Sequence, residues 1–361
     1  MGIDIETADA ASIGPDRWDR LVERSPQGTF FHQYAALELQ ADHAGAELHR
    51  LVGLKGQEPV GLFPAFELRK GPITGVFSPP PRLWVPTLGP AMVNVEKLSR
   101  RKRDRRIRAF IEGSLDWFTD RIGAQYVNVS TDDRLRDLRP FKWTNCSVVP
   151  EFTYVVDLTR TPDEVRSGFS GDARNNIRNC ESAGDSIELT EADAEGAALI
   201  LERVRERYAE QGVPFTVAPE FGAELYRALP EGQLRPYVCR VDGAFAGGIL
   251  AVEYGDTVGR WMGGARPDES VELPVNDLLD WHVMSEAMDR GFDAYDLMGA
   301  GDPRINDYKS KFGPELRSYA TVEGGTRWGR LLVDLYRKRG VVTGLTEGLS
   351  PDIVPSKLRG K

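Results

Sequence analysis

The chain has few cysteines, few histidines and no long apolar run, and each shortage closes off a class of function. Cys146, Cys180 and Cys239 lie far apart and form no CxxC pair, and the four histidines are scattered. No zinc-ligand spacing and no disulfide framework results, so a metal-free, reduced protein is expected. No stretch approaches the roughly 18 apolar residues needed to span a bilayer. The opening Met1-Gly2-Ile3-Asp4-Ile5-Glu6 has neither a basic nor an apolar signal segment. The expectation is a cytoplasmic protein without membrane insertion. Low-complexity tracts are missing too, which argues against a long disordered region. A formal net charge of -9 speaks against broad electrostatic attraction to nucleic acid.

What is present suits two domains. A length of 361 residues, 41% hydrophobic and 28% charged, allows each half to bury its own core. Positive charge is unevenly placed, concentrated at Arg100 to Arg108, at Arg174 with Arg178, and at Arg327 to Arg339. From Leu48 to Phe66 the chain reads as a hairpin turning at Lys55-Gly56-Gln57-Glu58, and Pro236 to Tyr254 reads as another turning at Asp242-Gly243. Gly247-Gly248 occupies the relative place of Gly61.

Each hairpin is followed by more strand, an amphipathic helix and a strand. In the first copy the helix is about Arg101 to Ile122 and the strand Gln125 to Ser130; in the second they are about Val275 to Arg290 and Ala294 to Met298. The order points to two tandem α/β domains, 1–148 and 149–325, with a basic helix and tail over 326–361. The second domain opens on strand Phe152 to Leu158. A capping box at Thr161-Pro162-Asp163-Glu164 then predicts helices over about Pro162 to Gly168, Asp172 to Ala183 and Gly196 to Gln211.

Three segments carry a family resemblance. Gly291-Phe292-Asp293-Ala294-Tyr295-Asp296-Leu297-Met298-Gly299 followed by Ile305-Asn306-Asp307-Tyr308-Lys309-Ser310-Lys311-Phe312-Gly313 is the most specific. Phe169 to Asn179, with an R-x-x-I-R run, and Thr29-Phe30-Phe31-His32-Gln33-Tyr34 add weaker matches. Together they resemble the Fem-type aminoacyl transferases and related acetyltransferases of the GNAT superfamily. The resemblance implies mixed α/β sheets in which two parallel strands, here Thr257 to Gly264 and Ala294 to Met298, splay apart and receive an acyl donor like an added strand. The helix beginning at Pro274-Val275-Asn276 would aim its N-terminus at that gap.

The pyrophosphate loop of CoA-dependent GNAT enzymes, Q/R-x-x-G-x-G/A, is not matched by Gly263-Gly264-Ala265-Arg266-Pro267. The resemblance therefore implies no tightly bound cofactor, with aminoacyl-tRNA or acyl-CoA as co-substrate. The acceptor would be a small-molecule or peptide amine. The long coiled-coil arm of some Fem enzymes is missing here.

Lys311 is the first catalytic candidate, because the resemblance places the lysine before Phe-Gly at the transfer site, where an ammonium can meet a developing oxyanion. Lys309 and Tyr308 share its segment. Asp296, on a strand that otherwise reads as buried, could take the proton of an attacking amine. Arg174 and Arg178, four apart on a helix, could bracket a phosphate, with a solvated face as the plainer alternative. Asn276 is a binding candidate or a helix cap. Trp261 is a substrate platform or core. No serine or cysteine sits beside a histidine in an elbow-like motif, which favours direct attack of amine on donor. The competing expectation is an inactive scaffold of the same fold that binds RNA, such as tRNA, or a protein through its arginine-rich helices.

Overall fold

The structure, a computed structural model, describes residues 2–331; the expected tail beyond residue 331, with Arg339, lies outside the described residues. The described chain packs as two units, one running up to Glu151 and resuming at Ser318, the other Phe152–Arg317. Residues 318–325, read from sequence with the second domain, group with the first.

The first unit contains β1 (Asp4–Thr7), α1 (Pro15–Glu23), α2 (Tyr34–Ala44), β2 (Glu47–Lys55), β3 (Glu58–Lys70), β4 (Ile73–Ser78), β5 (Ala91–Met92), α3 (Arg100–Trp117), β6 (Tyr126–Thr131) and α4 (Arg139–Trp143). β2 and β3 form the expected hairpin, with Leu48 opposite Phe66. β4 pairs antiparallel with β3, and α3 then carries the chain across to β6, which runs parallel to β4 from Gly75↔Tyr126 to Ser78↔Val129. α3 widens into a π turn over Phe118–Ile122 and ends on left-handed Gly123. Its Phe110 lies flat on the paired glycines 53 and 61, where a Cβ would come within 2.4 and 2.7 Å of the ring. The helix can approach the sheet this closely only because those two positions carry no side chain.

The second unit repeats the scheme. β7 (Ser147–Asp157) leads into α5 (Pro162–Ser167), α6 (Gly171–Ser182), β8 (Ile187–Glu191), α7 (Ala194–Glu210), α8 (Pro219–Ala228), β9 (Leu234–Val241), β10 (Ala244–Tyr254), β11 (Thr257–Gly263), α9 (Val275–Asp289), β12 (Ala294–Asp296) and α10 (Pro303–Lys309). Its strands lie in the order β7-β12-β11-β10-β9-β8, antiparallel except for β11 beside β12. Thr161 and Glu164 close the capping box that starts α5, a device that contributes on the order of 1 kcal/mol. Three antiparallel strands, a crossover helix and a fourth strand parallel to the third thus occur twice. β13 (Glu315–Gly325) returns to the first unit and pairs antiparallel with β6 through Ala320–Gly325.

The core of the second unit joins Ala173, Ile177 and Cys180 of α6 to Leu279, Val283 and Met284 of α9 over Tyr237, Cys239, Ile249, Val258 and Tyr295 of the sheet. Burial pushes the Cys180 and Cys239 thiols up to about 11 and about 12. In the first unit burial also raises Cys146, which is half-buried.

Candidate active site

The two units differ where the parallel strands meet. In the first, the β4–β6 ladder runs to the last residue of β4. In the second, β12 pairs with β11 only through Thr257↔Ala294, Val258↔Tyr295 and Gly259↔Asp296, and β11 continues to Gly263 after β12 has stopped. β11 also carries a bulge: Leu250 faces Met262 and Ala251 faces Arg260, leaving Trp261 as the extra residue.

The expected strand Ala294 to Met298 is shortened to Ala294–Asp296 because its exit is turned by side chains. Asp296 Oδ1 accepts from Thr153 Oγ1 at 2.6 Å and from the Met298 N–H at 2.8 Å, and Gly299 N–H donates to Thr153 Oγ1 at 3.0 Å. Met298 takes a left-handed backbone with φ 49°. Its side chain folds over Gly259, where a Cβ would lie 2.1 Å from Met298 Cε. Lys309 completes the turn: its buried ammonium donates to Met298 O at 2.6 Å and Gly299 O at 2.7 Å. Asp296 and Lys309 therefore hold the loop that leaves the parting strands.

Beside this loop lies a buried polar cluster centred on Asp280 of α9. Its Oδ1 accepts from Arg260 Nε at 2.7 Å and Tyr295 Oη at 2.6 Å, and its Oδ2 from Tyr308 Oη at 2.5 Å. Burial opposes the charge of Arg260, yet Asp280 and the two phenols more than restore it. Burial and then Asp280 hold both phenols well above their ordinary range. Tyr308 is thus a proton donor to Asp280 and unsuited to act as a base.

One turn earlier on α9, Asp277 is buried, accepts from Asn176 Nδ2 at 2.5 Å, and has Lys311 Nζ 3.8 Å away. Its Oδ1 and the neighbouring Asn276 Oδ1 are buried without a hydrogen-bond partner. Burial raises the Asp277 carboxyl against the opposing pull of Asn176 and Lys311. Below about pH 4 that carboxyl is protonated in folded and unfolded chains alike. As pH rises, the unfolded chain releases the proton first, so native stability falls until the folded carboxyl titrates as well, and is level above. Asp277→Asn is expected to remove this fall, so that the variant gains melting temperature relative to wild type between pH 4 and pH 7. Parallel melting curves across that range would count against it.

Lys311 pairs with Asp172 of α6 at 3.2 Å, its side chain a quarter exposed. The Ser170 hydroxyl and then Lys311 hold the Asp172 carboxyl down at about 2. The Lys311 ammonium also lies 5.6 Å from the centre of the Tyr308 ring. The structure thus brings Tyr308, Lys309, Lys311 and Asp296 together around the exit of β12 and the first turns of α9.

The remaining candidates fall elsewhere or act otherwise. Arg174 donates to the carbonyls of Ser167 and Phe169, and Arg178 to Arg174 O and the Asn175 side chain, so both guanidinium groups are engaged on their own helix and the loop before it. Trp261 is buried against Phe221 at 5.7 Å. Asn276 does not cap α9, whose N-cap is Pro274. Sequence reasoning passed over Arg260, Asp277, Asp280 and Asn176. The available signals were an arginine inside the apolar run Val258 to Met262 and an aspartate between Leu279 and Trp281.

Comparison with known proteins agrees with this geometry. Residues 167–310, which span α6 to α10, match the family model described as an acetyltransferase (GNAT) domain. The second unit thus holds a segment similar to GNAT acetyltransferase domains. The fold of the chain is similar to the crystal structure of FemX, with a TM-score of 0.70 and 13% identity, over 92% of this chain and 99% of that one. It is also similar to the C-terminal domain of a putative lysylphosphatidylglycerol synthetase from Agrobacterium fabrum (0.55, 13%, 92% and 99%) and to L-PGS from Bacillus licheniformis (0.53, 14%, 90% and 96%). No curated protein sequence matches the chain. Among the described residues no helix is long and apolar enough to cross a membrane.

Proposed function

We propose that the second unit transfers an acyl or aminoacyl group from an activated ester or thioester, aminoacyl-tRNA or acyl-CoA, to the primary amine of a small molecule or peptide by direct attack. The parting of β11 and β12 supports this reading most strongly, because an extended donor can add to a strand edge whose neighbour has stopped. In this reading Lys311 supplies charge to the developing oxyanion, while Lys309, Asp296 and Thr153 position the loop. Asp277 in the first turn of α9 offsets the positive helix end that would hold a pyrophosphate, which favours the aminoacyl ester over the CoA thioester.

The test offers radiolabelled aminoacyl-tRNA and acetyl-CoA separately, each with a panel of primary amines. Amine-dependent loss of label from one donor, with an amide formed, is the expected result. Neither donor turning over with any amine, in folded protein, would remove the transfer reading.

One observation favours a second activity in the first unit. Arg100, Arg101, Lys102 and Arg105 of α3 are exposed, have no ion pair among the described residues, and share a helix with no acid in its first turn. Cations at a helix N-terminus are unfavourable unless an anion lies nearby. RNA contact there predicts a tRNA gel shift that weakens steeply from 50 to 200 mM salt and is reduced about tenfold or more by Arg101→Glu with Arg105→Glu. An unchanged shift in that variant would dismiss this role for α3.

A further inference from the structure

We propose that the β2–β3 hairpin of the first unit binds a divalent cation of the zinc class through His49 Nε2, Glu67 Oε2 and Glu47 Oε1. These three side chains form the one group of potential metal ligands among the described residues, with ligand atoms all within 4.8 Å of one another.

Register brings them together. Glu47 lies directly opposite Glu67 in the antiparallel pair, and His49 is two residues along the same strand, so all three project from one face. Two carboxylates directly opposite each other repel; Arg69 pairs with one oxygen of the nearly buried Glu67, and a cation held between Oε2 and Glu47 would neutralise the rest. His49 Nε2 is 3.0 Å from Glu67 Oε2 and 3.9 Å from Glu47 Oε1. Ligand atoms about 2.0 Å from a tetrahedral zinc stand about 3.3 Å apart, so small rotations bring the set onto the metal.

The surroundings hold two ligands in place. Arg69 Nε donates to the other oxygen of Glu67 at 2.5 Å, leaving Oε2 for the metal and serving as the outer partner that ligating carboxylates usually have. Trp117 meets the His49 ring edge to face at 5.4 Å and limits its rotation. Glu47, two-thirds exposed, is the adaptable third ligand. One imidazole and two carboxylates suit zinc, nickel or copper and not magnesium, which prefers oxygen ligands and keeps its water. Without metal, the neutral imidazole can carry its proton on Nε2 and donate it to Glu67. With metal on Nε2 that proton resides on Nδ1.

The site is independent of the transfer chemistry, and its test needs no substrate. Full-length protein dialysed against chelator is titrated calorimetrically with zinc chloride and separately with magnesium chloride. One zinc per chain and no magnesium heat are expected. Zinc should be weakened about tenfold or more by His49→Gln and about severalfold by Glu47→Gln. Both variants leave the Glu67–Arg69 pair intact and should fold. Nitrogen-15 histidine spectra should show His49 moving to the Nδ1–H tautomer as zinc is added. Absence of zinc heat, or zinc binding of undiminished strength in His49→Gln, would overturn the site and leave the triad as an ordinary ion-pair group.

Discussion

Alanine in place of Asp280 is expected to destabilise the second unit by about 3–5 kcal/mol, the usual cost of leaving a buried charge without its partner. Asp280 is fully buried and is the acceptor for Arg260, Tyr295 and Tyr308. Its loss strands a guanidinium that is itself only 9% exposed, and it frees the buried Tyr295 phenol, which has no water to turn to. Removing both charges should hurt less than removing one. Arg260→Met combined with Asp280→Leu is therefore expected to recover part of the loss, as a non-additive double-mutant cycle. Urea unfolding followed by tryptophan fluorescence, which sees Trp261 and Trp281, is the measurement. A single variant within about 1 kcal/mol of wild type would show that the cluster is solvated or can relax.

Lys311→Met is expected to slow turnover by about 10²–10³-fold, the typical loss when a preorganised donor to an oxyanion is removed. Of the two lysines in the segment, Lys309 is committed to two carbonyls, while Lys311 is partly exposed and pairs with the solvated Asp172. The melting temperature should fall far less than turnover, since the pair with Asp172 is solvated and contributes little, and the buried Asp277 keeps its Asn176 donor. Lys309→Met should show the opposite balance, with a clear drop in melting temperature because the Met298 and Gly299 carbonyls lose their donor. Unchanged turnover in Lys311→Met, under conditions where wild type is active, would leave that ammonium as a surface partner of Asp172.

Much of the architecture was legible because it is written locally. Alternation around Gly56 and Gly243 marks the hairpins, the Thr161 box marks a helix start, and the three-to-four spacing of Leu278 and Leu279 to His282 marks α9. α8 went unread although Pro219 stands at its first position, since ten residues with a short apolar stripe give a weak period. Residues 318–325 were grouped by sequence with the second domain, yet they pair with β6, nearly two hundred residues earlier, and nothing in a strand's own sequence names its partner.

The site shows the same division. The segment Tyr308 to Lys311 was legible as a unit, but which lysine faces the strand exit was not. Residues two apart in a helical turn point about 200° apart, so an error of about half a turn in phase exchanges their roles. Asp277 and Asp280 read as the polar side of an amphipathic helix. They are buried because Arg260 and Asn176, from a strand and another helix, meet them there.

The depth of the two core cysteines makes the protein convenient to probe. With thiols held at about 11 and about 12, the reactive anion at neutral pH is a fraction on the order of 10⁻⁴ or less. Cys180 and Cys239 lie in the core of the second unit, so alkylating reagents reach them when that core opens, and their slow modification is a clock for that opening. A fluorophore attached through Ser310→Cys, with the half-buried Cys146 replaced by serine, would then report on the segment after β12 against a nearly silent background.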